Sequence, residues 1–215
     1  MANIRIRRGT QAQLPTLNIA EPGFTTDTKR LYIGDGVGNI FIGPTTFSGI
    51  HVERFSAGDL QEGETGVPGI GSAGPITGRL FDADQNESLY GHFKVKDNIK
   101  DSTNITANVY WMTDDSQTGT NSCVWVLRYH VYSDEETYGS KTTTTISVTD
   151  AMPNNASAGT FKFTNIGNLI YNNGDNPFSA GDIISFRILR FATDGSDTLT
   201  GDAALLLLTF EYEVE

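Results

Sequence analysis

Cysteine is almost absent from this sequence. Cys123 is the single cysteine among 215 residues, so an intramolecular disulfide and a cysteine-based zinc cluster are both excluded. It belongs to the alternating series Cys123, Trp125, Leu127, which predicts a small buried hydrophobe and not a reactive thiol. The three histidines are dispersed along the chain. We therefore predict no metal, no cofactor and no catalytic residue.

Long apolar runs are also missing. The longest apolar stretch, residues 203–208, has the length of a strand, whereas a membrane-spanning helix needs about 18 apolar residues or more. The basic start MANIRIRRGT is not followed by an apolar segment, so it lacks the pattern of a secretory signal. We expect a protein that folds in a cytoplasm and has no membrane partner.

Charged residues make up only 19% of the chain, and acidic ones predominate to give a net charge of −11. An acidic surface repels phosphate backbones, so we expect no nucleic-acid partner. Residues 1–43 contain five basic and three acidic residues, a charge of +2, which leaves −13 for the remainder. This asymmetry suggests a docking end and a solvated body; chance scatter in a small sample is the alternative.

The sequence is rich in the residues of strands and turns. Thr, Ser and Asn are abundant and 23 residues are Gly, a mixture typical of short strands and unfavourable for helices. Apolar and polar residues alternate repeatedly after residue 80, with turn clusters between the repeats. The predicted strands are 89–96, 105–112, 122–132, 142–148, 160–166, 182–191 and 203–214. We predict an all-β fold in which residues 80–215 form a jelly-roll-like β-sandwich.

Two smaller parts precede this sandwich. Residues 1–43 predict a β-rich unit with a hairpin that turns at residues 27–30. Such a unit is too small to bury a core of its own, so it needs other copies of itself or a host surface. Residues 44–79 are rich in Gly and Pro, which predicts an extended connector.

Some predicted strands are apolar on both faces, notably 122–132 and 182–191. Strands of this kind are buried twice, and a subunit interface is the simplest second partner. We therefore predict a homotrimer. The interface candidates are Trp111, Trp125, Tyr129, Phe186 and Phe210.

Acidic and aromatic residues in the sandwich leave alternatives open. Asp194, Asp197 and Asp202 surround a turn, where they act as solvated caps or hold a structural calcium. Tyr110 and Tyr132, with Tyr138, belong to the core or an interface, or stack on the sugars of a host surface glycan. A carboxylate pair for glycoside hydrolysis is a spatial feature that sequence does not reveal, and we expect no enzymatic activity.

A specific combination of motifs occupies residues 3–43, in NIRIRRGTQAQLP and EPGFTTDTKRLYIGDGVGNIFIG. It resembles the N-terminal module of phage tail-fibre and tropism-determinant proteins. The matching positions are Arg5, Arg7, Arg8, Gly9, Thr10, Glu21, Gly23, Phe24, Asp27, Thr28, Leu31, Ile33, Gly34, Asp35 and Gly36. Among these we predict virion-anchoring residues and turn-forming residues. The anchoring residues are Arg5, Arg7, Arg8 and Gly9; the turn-forming residues are Gly23, Asp27, Thr28, Gly34, Asp35 and Gly36.

Residues 80–215 resemble small phage structural domains with a Tyr-Trp strand and a Val-Trp strand. The two resemblances imply a structural protein of the virion surface, assembled in the host cytoplasm. Its expected partners are its own copies and the major capsid protein or other virion proteins. The short chain favours a trimeric capsid decoration or cement protein, or a short head fibre. The N-terminal module favours a tail fibre or receptor-binding protein that recognises the host cell surface, and both hypotheses stay open.

Overall fold

A computed structural model of the protein describes residues 6–27, 29–42, 49–63, 66–73, 76–137, 139 and 141–215. Within these ranges the chain forms strands and one short 3₁₀ helix, without an α-helix. The same ranges contain no helix of the length and apolarity required to cross a membrane. The chain divides into two compact units, Met1–Phe47 and Ser48–Glu215.

The first unit is a four-stranded sheet in the order β1-β2-β3-β4. Its elements are β1 (Arg7–Gly9), the 3₁₀ helix η1 (Gln11–Gln13), β2 (Pro22–Thr25), β3 (Leu31–Gly34) and β4 (Asn39–Ile42). The β1–β2 pair is parallel, while β2–β3 and β3–β4 are antiparallel. The predicted hairpin is thus present as β2 and β3. Tyr32 on one sheet face and Leu17 in the preceding loop are buried, whereas Ile40 and Ile42 on the other face are exposed.

The second unit is a sandwich of two sheets, which we call the front sheet and the back sheet. The front sheet has the order β13-β10-β15-β8-β7, with β5 also paired to β15, and the back sheet has the order β12-β11-β14-β9-β6. The strands are β5 (Gly49–Ser56), β6 (Gln61–Glu62), β7 (Gly69–Ala73), β8 (Ile76–Phe81), β9 (Glu87–Lys94), β10 (Ile105–Thr113), β11 (Ser122–Tyr132), β12 (Thr144–Ala151), β13 (Phe161–Leu169), β14 (Ile183–Arg190) and β15 (Ala203–Val214).

The strand order is that of a jelly roll. If β8 to β15 are counted as one to eight, the front sheet contains strands 6-3-8-1 and the back sheet strands 5-4-7-2, all antiparallel. Successive strands therefore alternate between the two sheets, except for β11 and β12, which are neighbours in the back sheet. This is the order that two Greek keys require. The predictions of an all-β chain, a jelly-roll-like sandwich and seven strands after residue 80 are confirmed.

The prediction of an extended connector over residues 44–79 is wrong for the residues that the structure describes there. Residues 49–56 pair with β15 along its C-terminal half, and residues 69–73 form a hairpin with β8. Ala57 and Leu60 are buried in the sandwich core. The Gly and Pro content misled the prediction because these strands carry little alternation, and each forms by pairing with a strand that comes later in the chain: β5 with β15, β6 with β9 and β7 with β8.

The core between the sheets is built on aromatic side chains. Trp111 of the front sheet meets Trp125 of the back sheet edge-on, with ring centroids 5.9 Å apart. Phe186 and Phe210 also pack across the interior, at 4.8 Å. Cys123 is fully buried nearby, as predicted, and its burial raises the pKa of the thiol well above the usual range.

The five interface candidates are corrected by this packing. Trp111, Trp125, Tyr129, Phe186 and Phe210 are at most 2% exposed and belong to one core cluster within the single chain. None of them presents a surface to a second copy. The strands β11 and β14 are apolar on both faces for a different reason. Val124, Val126 and Leu189 lie on the outer face of the back sheet, where they form a small second cluster against which Phe191 packs.

A buried ion pair closes one end of the sandwich. Arg190 and Asp197 have side chains 0% and 1% exposed, and two hydrogen bonds of 2.8 and 3.1 Å join them. The guanidinium also donates to the carbonyls of Phe81, Leu199 and Gly201, so each of its five N–H groups has an acceptor. Asp197 further accepts the Val124 amide at 2.9 Å. The prediction of a solvated Asp197 is therefore wrong.

Removal of one partner from this pair leaves a buried charge uncompensated. We expect Asp197→Asn and Arg190→Met each to lower the free energy of unfolding by about 3–5 kcal/mol, measured by urea denaturation. Lys94→Met removes the exposed pair with Asp97 and serves as the control, with a loss below about 1 kcal/mol. Equal losses in the three variants would contradict the central role of the buried pair.

Candidate functional site

A groove crosses the outer face of the back sheet. It consists of two adjoining clefts of about 320 and 530 Å³, which share Tyr90 and Ser185. This size is within the usual range for small-ligand sites. We call it the arginine groove and define it by Tyr90, His92, Arg128, His130, Ser185 and Arg187.

The strand register brings these side chains together. On β11, β14 and β9, Arg128 lies opposite Arg187, and Arg187 lies opposite Tyr90. Because successive side chains alternate between the faces of a sheet, positions two residues further along each strand form the next row on the same face. In that row His130 faces Ser185, and Ser185 faces His92.

The two arginines of the groove lack carboxylate partners among the described residues. The sandwich contains ten Lys and Arg residues. Seven of them form ion pairs: Arg79, Lys94, Lys96, Lys100, Lys141, Lys162 and Arg190. The remaining three are Arg54, Arg128 and Arg187, and two of these are direct cross-strand neighbours. Like charges placed opposite each other destabilise a sheet.

Arg187 is held by an aromatic ring. Its Cζ lies 5.5 Å from the centroid of the Tyr90 ring, a cation–π distance. The Nε atom of Arg187 is buried and has no hydrogen-bond acceptor in the described part of the chain. Arg128 is exposed and Tyr90 is 37% exposed, so a cation and a ring face are both open to a ligand.

Histidines and hydroxyls occupy the rest of the groove. The His130 ring contacts the Thr143 hydroxyl through Nε2 at 2.7 Å and the Tyr132 hydroxyl through Nδ1 at 3.1 Å. These two contacts fix the orientation of the imidazole ring. Glu62 lines the far cleft, but its carboxylate is engaged by Arg79 at 2.6 Å. The groove is therefore cationic within an acidic protein.

A second exposed surface, on the front sheet, is aromatic. Phe161 and Phe163 are each 53% exposed, and the Tyr110 ring lies 4.9 Å from that of Phe163. Tyr110 is itself half-buried. Tyr132 lies beside the arginine groove, and Tyr138 is outside the described residues.

Acidic residues gather at the end of the sandwich near Arg190. Burial, with repulsion from neighbouring carboxylates, raises the pKa of Glu87, Asp114 and Asp202. The described residues nevertheless contain no group of three or more His, Cys, Asp or Glu side chains arranged to hold a metal ion. Asp194 caps its own turn by accepting the Ser196 amide.

Three of the six predicted turn-forming residues stabilise the β3–β4 hairpin and the loop that crosses it: Gly34, Asp35 and Gly36. The Asp35 carboxylate accepts the amides of Val37 and Gly38, which lowers its pKa, and Gly36 has a φ of +88°. Gly34 lies directly beneath residues 17 and 18, where a Cβ atom would be 2.2 Å from the Asn18 carbonyl oxygen.

Two of the turn-forming residues have other surroundings. Gly23 lies against the Leu17 side chain, where a Cβ atom would be only 2.9 Å from a methyl carbon. Asp27 accepts the amide of Gln11 at the start of η1. Thr28 lies outside the described residues.

The predicted anchoring residues are not equivalent. Arg7 binds Glu21 within the same unit at 2.6 Å, so its guanidinium already has a carboxylate in its own chain. Arg8 is exposed beside Phe24 and without an ion pair among the described residues. The Gly9 carbonyl accepts the Thr26 amide, and Arg5 lies outside the described residues.

The N-terminal unit has a known counterpart. Residues 4–38 match the family model of the major tropism determinant N-terminal domain. The resemblance of this segment that was inferred from the motifs is confirmed. No curated protein matches the chain.

Solved structures similar to the chain are remote. TmCBM61 in complex with β-1,4-galactotriose is 13% identical, with a TM-score of 0.33 over 79% of this chain and 90% of that chain. A structure of the infectious bursal disease virus Gx strain is 9% identical, with a TM-score of 0.34 over 81% of this chain. The match spans about a third, 34%, of that viral chain. The jelly-roll assignment rests on the strand order of the present chain.

The tight crossing over Gly34 gives a test of the N-terminal unit. We expect Gly34→Ala to open this unit, because the added methyl group meets backbone atoms that have no room to move. Gly38→Ala is the matched control, with no atom within 4 Å of the added carbon. Limited proteolysis of the full chain should show at least about tenfold faster cleavage within residues 6–42 in the first variant only. Equal resistance to proteolysis in both variants would show that residues 17 and 18 do not cross closely over Gly34.

Proposed function

We propose that this protein is the receptor-binding subunit of a phage appendage. Its N-terminal unit joins the particle, and its sandwich meets the surface of the host cell. The observation that carries this proposal is the match of residues 4–38 to the tropism determinant N-terminal domain. The open, cationic groove on the sandwich supplies a surface suited to a ligand. A protein with this role needs no catalytic residue.

Capsid decoration is the second candidate. It is favoured by the short chain, since 215 residues leave no long shaft, and by the acidic sandwich, which would keep particles apart. An extended connector over residues 44–79 would add support, because it could lie across the joint between two capsid subunits. Residues 49–56 and 69–73 are paired strands of the sandwich instead, so host recognition is the stronger proposal.

We further propose that the protein acts as a homotrimer assembled through the N-terminal unit. Only Leu17 and Tyr32 are buried hydrophobic residues in the described part of this unit. The opposite face of its sheet carries an apolar set that is half-buried or exposed: Phe24, Leu31, Ile33, Ile40 and Ile42. Three copies that bring these faces together would supply the core that one copy lacks.

Light scattering on the purified chain should give a mass about three times 23.4 kDa. Ile40→Asp places a charge on the apolar face and is expected to produce monomers, because a buried unpaired carboxylate opposes association. Val37→Asp adds the same charge in the β3–β4 turn, at a residue 90% exposed, and should remain trimeric. A stable wild-type monomer at micromolar concentration contradicts the trimer, and a dimer would reassign the interface.

Deletion of the protein separates its two candidate functions. We expect particles without it to adsorb to host cells at least about tenfold less, and purified protein to compete with normal particles for the cell surface. Heat resistance of the particles should stay unchanged. Normal adsorption combined with a lower temperature of DNA release would identify the protein as a decoration that stabilises the shell by linkage.

A further inference from the structure

We propose that the arginine groove binds an acidic saccharide, a sugar bearing a carboxylate or phosphate group. The anionic group would lie between Arg128 and Arg187, with the sugar ring against Tyr90. This inference rests on the proposed function in host recognition and names the chemistry of the receptor.

The charge of the two groove arginines is not compensated within the described residues. The body of the protein carries −13, and seven of its ten Lys and Arg residues bind carboxylates of the same chain. Arg128 and Arg187 instead face each other across β11 and β14. This arrangement costs stability in the empty protein, and a bound anion removes the repulsion. Sites that break a local rule of stability in this way are typical of binding surfaces.

The geometry of Arg187 suits an anionic ligand. Its guanidinium stacks on Tyr90, and its buried Nε lacks an acceptor among the described residues. A buried donor without an acceptor is costly. The planar fork of an arginine matches the two oxygens of a carboxylate or phosphate and binds them more specifically than a lysine does. The contact with Tyr90 holds the guanidinium of Arg187 in place, so it is already positioned for such a ligand.

The other side chains of the groove suit a sugar. The hydroxyls of Ser185, Thr143 and Thr145 line the same cleft as the arginines. Hydroxyls are suited to hydrogen bonds with sugar hydroxyls, and the open ring of Tyr90 is suited to an apolar sugar face. His92 lies one row further along the same face. Ion, ring and hydroxyls together fit a charged sugar better than an isolated inorganic anion.

Long polyanions fit this surface poorly. Beyond the groove the sandwich is acidic, so a nucleic-acid backbone would gain charge contacts at the two arginines and meet repulsion elsewhere. A saccharide with an acidic group at intervals needs only the local cation pair. Binding should weaken as salt is added, because the exposed part of the pair is screened.

In the experiment that tests this proposal, the 215-residue protein is titrated with three probes, and binding is measured by calorimetry and NMR. The probes are a trimer of galacturonic acid, the matched neutral galactose trimer and galactose 6-phosphate. We expect binding of at least one acidic probe and at least about tenfold weaker binding of the neutral trimer. The two acidic probes distinguish a carboxylate from a phosphate source. Binding of the neutral trimer as tightly as the acidic ones, or of no probe at millimolar concentration, overturns the proposal.

Variants locate the site. Arg128→Gln and Arg187→Gln should each weaken the acidic probe at least about tenfold. Arg54→Gln removes the third unpaired arginine of the sandwich, which lies on β5, and should leave binding unchanged. Equal binding by the wild type and both groove variants overturns the assignment even where an acidic sugar binds.

Failure of this site is distinguishable from failure of the proposed function. If deletion of the protein abolishes adsorption while particles carrying Arg128→Gln or Arg187→Gln adsorb normally, host recognition stands and the groove is wrong. If the groove binds an acidic sugar but deletion leaves adsorption unchanged, the site stands and the proposed function is wrong.

Discussion

The sandwich depends on one buried guanidinium. Arg190 ends β14 in the back sheet, yet it donates to a carbonyl of β8 in the front sheet and to two carbonyls of the loop before β15. Asp197, the ion-pair partner of Arg190, also accepts a hydrogen bond from the amide of Val124 in β11. Desolvation of an ion pair is costly, and it is tolerated here because every donor of the arginine is satisfied. The loop that leads into the longest strand of the protein is thereby fixed.

The strands after residue 80 could be predicted because each is long and covered on at least one face. Alternation in residues 122–132 and 203–214 gave the observed bounds. The strands within residues 49–79 were missed because they are held mainly by backbone pairing with distant strands and bury few of their own side chains. Residues 49–56 have mostly exposed or half-buried side chains, and only Phe55 packs on the core. A short peptide window does not reveal a partner about 150 residues away.

The candidate site could not be predicted from the sequence for a related reason. Arg128 and Arg187 each look like an ordinary polar residue on the outer face of a strand. Their importance arises from register, which places them opposite each other and beside Tyr90. The prediction of aromatic interface residues was wrong for the opposite reason: it gave importance to side chains that have an ordinary structural role. Large side chains such as Trp111 and Trp125 fill the core of their own chain. The turn residues Gly34, Asp35 and Gly36 could be predicted because the turn and the close crossing that they allow are local features of the chain.

The pairing of β5 with β15 constrains when the front sheet can fold during synthesis. Residues 49–56 are made early, but their strand partner spans residues 207–214, so the front sheet cannot close until residue 214 has left the ribosome. The paired strands of the N-terminal unit, in contrast, are joined by contacts within about 40 residues. Non-local pairing of this kind slows folding and leaves strand edges open during translation. The net negative charge of the chain opposes association of these unfinished chains.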